Sequence, residues 1–107
     1  MPTGCSLAQG QLPTTAGGGV IFTATTVTFV KNMNVCSRNA ATQQVYVYLR
    51  RSTEPASVLF ASTILDQYQR DRLIGSDDAL SLSEGDTIEA ETTTASAVDF
   101  WISGGIA

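Results

Sequence analysis

From Val20 onward the chain is written in a period of two. Val45, Val47 and Leu49 alternate with Tyr46, Tyr48 and Arg50, so a strand there carries one aliphatic face and one amphipathic face. Val27, Phe29, Lys31, Met33 and Val35 alternate with Thr28, Val30, Asn32, Asn34 and Cys36, which predicts a long strand with a mostly apolar face, bent near Lys31. The polar run at 37–42 between them reads as the turn of an antiparallel hairpin. Val20, Ile21 and Phe22 open a short strand ahead of this pair. Glu54-Pro55 breaks the chain before another strand-length apolar run over 57–65. Residues 66–72 are the one stretch compatible with a helical turn. Leu80 and Leu82 alternate with serines, and Ser83-Glu84-Gly85-Asp86 supplies a tight turn in front of a strand over 87–92. There Ile88 and Ala90 point one way, while Glu89 and Glu91 point the other as solvated acids. Val98, Phe100 and Ile102 form a closing strand, with Trp101 of opposite parity. Shared parity makes Val45, Val47, Leu49, Ile88, Phe100 and Ile102 the predicted core.

Short strands at spacings of about 8 to 12 residues, with almost no helical periodicity, predict an all-β fold. The expected architecture is an antiparallel β-sandwich or jelly roll of about seven to eight strands. A parallel sheet would need crossover helices, and no segment supplies them. Residues 1–18 follow neither period and end in Ala16-Gly17-Gly18-Gly19. They read as an extended N-terminal arm, giving a flexible arm over 1–19 and a β-sandwich domain over 20–107. A chain of 107 residues supports one core and not two.

Composition narrows the functional classes. Charged residues make up 15% of the chain, below the roughly 25% usual in soluble domains, so Thr, Ser, Ala, Gly and Gln must cover the surface. The net charge is −4 and Lys31 is the only lysine, which argues against nucleic acid as a partner. All six basic residues fall in 1–72, whereas 73–107 holds seven acids and no base. Either this polarity makes opposite patches that steer association, or the fold interleaves the two parts and evens the field out. No secretory signal and no apolar run of membrane-spanning length is visible. Cys5 and Cys36 read as reduced thiols of a chain made in a cytoplasm.

Candidate chemistry is sparse. With no histidine, the usual general base, the commonest metal ligand and every Ser-His-Asp or Cys-His arrangement are missing. Two cysteines do not close a structural zinc site. Carboxylates remain, but the spacing of Asp77, Asp78, Asp86, Glu89 and Glu91 supports neither paired acid-base work nor the ladder of a calcium loop. No catalytic, cofactor or metal residue is therefore assigned. Tyr46, Tyr48 and Arg50 form an aromatic and cationic stripe, and Trp101 either plugs a second face or anchors a contact. These four are the candidate interface, toward a protein partner or, with Tyr46, Tyr48 and Trp101 together, toward a sugar.

Residues 27–49 (VTFVKNMNVCSRNAATQQVYVYL) and 80–104 (LSLSEGDTIEAETTTASAVDFWISG) carry a family likeness. The first answers an apolar-Lys-Asn-apolar run with Val-x-Val-x-Leu across a polar turn. The second runs Leu-x-Leu-x-x-Gly-Asp-Thr-Ile-x-Ala into a closing apolar strand and Ser-Gly. Together they resemble small structural proteins of tailed-bacteriophage virions. The resemblance implies a β-sandwich that decorates or cements the capsid, or forms part of a tail, baseplate or fibre. It also implies no catalytic residue, a homo-oligomer (dimer or trimer), the major capsid protein or another virion protein as partner, and a virion location after assembly in the host cytoplasm.

Overall fold

A computed structural model describes residues 5–14, 18–38, 41–53, 58–74, 80–94 and 97–106. Its strands are β1 (Cys5–Gln11), β2 (Gly19–Thr23), β3 (Thr28–Ser37), β4 (Gln43–Arg50), β5 (Val58–Leu65), β6 (Arg70–Ile74), β7 (Leu80–Leu82), β8 (Thr87–Thr92) and β9 (Val98–Ile106). All pairings are antiparallel. One sheet has the order β1-β9-β3-β6, with β7 beside β3 on the edge that β6 also uses. The other has the order β2-β8-β4-β5. The two sheets pack face to face, and the all-β class holds.

The core forms where the inward faces meet. Val30, Met33 and Val35 of β3 and Val98, Phe100 and Ile102 of β9 face Val45 and Val47 of β4 and Ile88 and Ala90 of β8, all buried. Five of the six predicted core residues are in this set; Leu49 lies half-buried against it. Such burial is worth about 1.5–3 kcal/mol for each large aliphatic side chain.

Four local expectations change. First, β3 and β4 do not form a hairpin. The chain instead passes from one sheet to the other between Ser37 and Gln43, because each strand buries its apolar face against the facing layer and draws its backbone partners from elsewhere. Second, the bend at Lys31 is a bulge that resets parity. The register moves from Val30↔Gly104 to Asn32↔Ser103 and leaves Lys31 unpaired, so Thr28 and Val30 point inward before it and Met33, Val35 and Ser37 after it. Phe29 is left outside. The crossing is tight here: a Cβ on Gly104 would run into the Phe29 carbonyl.

Third, the stretch expected to be a free arm is structural over its described part. β1 pairs along β9 from Cys5↔Gly104 to Gln11↔Asp99, and Leu12, which follows it, is 2% exposed in the core. Edge pairing needs backbone groups more than apolar side chains, so small and polar residues suffice. Fourth, residues 66–69 form a turn that leads into β6, with Tyr68 at φ 61° and its amide donating to the Ser37 carbonyl. No helix forms there. Cys5 and Cys36 stand in register with Gly104 and Asp99, on opposite sides of β9 and five positions apart along it. At about 3.3 Å per residue that separation is far beyond disulfide reach, and Cys36 is a free thiol.

Candidate functional site

The four candidate interface residues divide between two outer faces. Tyr46, Tyr48 and Arg50 alternate with buried Val45 and Val47, so they stand on the outside of the β2-β8-β4-β5 sheet as expected. Trp101 alternates with Phe100 and Ile102 on β9 and therefore lies on the outside of the opposite sheet. The sandwich thickness separates it from the tyrosines. A single sugar site built from Tyr46, Tyr48 and Trp101 is not assembled.

The tyrosine face satisfies itself. Across the ladder Tyr46 meets Glu91 and Tyr48 meets Glu89. The Tyr48 hydroxyl donates to Glu91 Oε1 at 2.8 Å. That bond, helped by partial burial and the Glu91 charge, raises the phenol above its ordinary pKa. Glu89, expected to be solvated, is buried: its side chain is 5% exposed and its Oε2 lies 3.2 Å from Arg50 Nε. Gly18 explains the cover. It passes so close over this face that a Cβ there would stand 2.8 Å from Tyr48 Cδ2 and 3.1 Å from the Glu89 Cβ.

The Trp101 face is open. Trp101 is 39% exposed and sits in register between Gln9 of β1 and Asn34 of β3. Beside it runs a groove of about 420 Å³ lined by Gln9, Gly10, Gln11, Arg38, Asp99 and Phe100 as well as the indole. Arg38 Nε donates to Asp99 Oδ2 at 2.7 Å at one end. Parity places Trp101 outside, but its neighbours come from β1 and from the end of β3, which no local pattern connects to it.

Asp86, considered above for calcium, is a structural lock. Its carboxylate accepts from the Ser52 and Ser83 amides and from Arg51 Nη1, each at 2.9 Å. Asp77 and Asp78 lie outside the described residues. Among the described residues no group of three His, Cys, Asp or Glu is placed to hold a metal.

One feature was not singled out in the sequence. β5 pairs with β4 on one side and ends its sheet on the other, and it exposes Val58 (60%), Leu59 (50%) and Ile64 (60%). The sequence signal is present in retrospect: residues 57–65 (SVLFASTIL) hold no charge and no polar alternation, which suits a strand with apolar demand on both faces. No protein-family model matches the chain, and none of the curated proteins does.

Proposed function

We propose that the chain is a non-enzymatic structural module that assembles with copies of itself in a tailed-bacteriophage virion, as a capsid decoration or cement protein stabilising the head. The observation that carries the assembly part is the β5 edge. An uncharged edge strand with exposed apolar side chains is a template for pairing with another chain, and monomeric proteins blunt such edges with charge. The strand is also self-complementary. Its register with β4 skips Phe60, so Leu59, opposite Tyr48, and Ile64, opposite Gln44, share the outer face. With Phe60 skipped in each copy as it is against β4, a two-fold axis through Ser62 sets Ser62 against its counterpart, Ala61 against Thr63 and Leu59 against Ile64 of the second copy. Every pair then matches in parity, and the two four-stranded sheets join into one.

We also read the sandwich as a jelly roll. With β6 and β7 taken as one interrupted strand, β1 and β2, β9 and β8, β3 and β4, and β6 and β5 occupy matching places in the two layers. Sequence neighbours facing one another across the core are what a folded-over pair of Greek keys produces. The virion setting rests on the likeness at 27–49 and 80–104, and many weak contacts repeated by symmetry suit a module that reinforces a shell. Copy number in purified particles tests it. A decoration protein is present at a number comparable with the main shell protein, whereas a few copies per particle place the chain in the tail, and none removes it from the virion.

A further inference from the structure

We infer that the groove beside Trp101 is a binding site for a neutral oligosaccharide. It lies on the sheet opposite the tyrosines, away from the β5 edge, and so goes beyond the assembly reading without depending on it. The residues around the groove supply the two kinds of surface that a pyranose ring presents. A sugar ring has faces lined by C–H bonds and a rim of hydroxyls. Trp101 offers a partly exposed indole with an N–H at its edge, which suits the C–H face and one hydroxyl. Gln9 stands opposite Trp101 and Gln11 opposite Asp99, both exposed and both on the outer face, because strand alternation turns Gly10 between them to the inner side with Phe100. Their carboxamides make no hydrogen bond to another described residue, and each can donate and accept at once. Asn34 adds a third amide on the other side of the indole.

The charge decides the ligand class. Arg38 and Asp99 are paired at 2.7 Å, so the end of the groove presents a guanidinium edge and a carboxylate together and cancels in net charge. An anionic ligand would meet Asp99, and a cation would meet Arg38. Hydroxyl groups, which donate and accept, fit both. The groove is shallow and open along the sheet, which lets a chain of rings run past.

Trp101 is the only tryptophan, so its fluorescence reports this site alone. The test titrates the intact protein with neutral tetrasaccharides of β1,4-linked glucose, α1,4-linked glucose and β1,4-linked N-acetylglucosamine, with a sulfated polysaccharide as the anionic control. At least one neutral chain should shift the emission saturably, and the anionic control should not. By calorimetry, Trp101→Ala should weaken binding by about tenfold or more, and Gln11→Ala measurably. Tyr46→Ala, on the opposite face, should leave it unchanged. Circular dichroism on each variant checks that it is folded. The inference is overturned if no neutral chain saturates the signal, if the anionic chain binds as well as the neutral ones, or if affinity survives Trp101→Ala in a folded protein. A sugar-binding monomer would sink the assembly reading and leave this one standing.

Discussion

At Asp86 one buried carboxylate ties the turn at 83–86 to the chain after β4. Burial by itself pushes its pKa up, but the Ser52 and Ser83 amides and Arg51 outweigh that and hold it below the ordinary carboxylate value. A group whose pKa is lowered by folding contributes stability above its unfolded pKa of about 3.9, and that contribution is lost as pH falls through the folded value. Asp86→Asn should therefore cost about 2 kcal/mol at neutral pH, and urea denaturation at about pH 3 should show the gap to wild type narrowed. An equal gap at both pH values would contradict this account. Glu89 gives a second case. Its carboxylate is buried while Arg50 is half-exposed, so Arg50→Met leaves a buried charge whose nearest other partner is the Thr87 hydroxyl at 3.5 Å. That substitution should cost about 1–3 kcal/mol, against less than about 1 for Arg38→Met at the exposed Arg38–Asp99 pair. Equal melting temperatures for the two variants would show that Glu89 is solvated in solution.

Among the elements, β4, β8 and β9 were legible in the sequence because each runs without a bulge through its apolar positions, so period two maps directly onto inside and outside. β3 was legible as a strand but not in its faces. One unpaired residue, Lys31, exchanges them, and alternation on either side of a bulge looks continuous in sequence. β1 was not legible, since an edge strand is held by backbone bonds and Cys5–Gln11 carries little apolar periodicity. Pairing was hidden for a different reason. Periodicity tells which face is buried but not which layer a strand joins, so the short 37–42 link passed for a hairpin. The same limits apply to the candidate site: outward Tyr46, Tyr48, Arg50 and Trp101 follow from parity, whereas the Gln9, Gln11 and Arg38 surroundings of Trp101 follow only from topology. β1 yields its own prediction. Leu12→Ala should lower stability by about 2–5 kcal/mol, and removal of residues 1–12 should abolish cooperative melting, because β9 then loses a neighbour along its length. A truncated protein that melts like the full chain would show that the fold does not depend on β1.

For the whole molecule, the segregation of charge along the sequence is undone by folding. The pairs Arg38–Asp99, Arg50–Glu89 and Arg51–Asp86 each join a base from the first part of the chain to an acid from the last. Of the two readings of that polarity, interleaving is the one these pairs support, and it leaves apolar contact rather than a charged patch as the means of the proposed association. The β5 edge supplies it. The central claim is that this edge pairs with a second copy, and sedimentation velocity over a range of concentrations tests it on the wild type and on the Leu59→Lys/Ile64→Lys variant. The wild type should sediment as a dimer or larger species in the micromolar range, and the variant as a monomer of unchanged melting temperature, because both substitutions fall on exposed positions. A wild type that stays monomeric at every concentration, or a variant that associates as strongly as the wild type, would contradict the account.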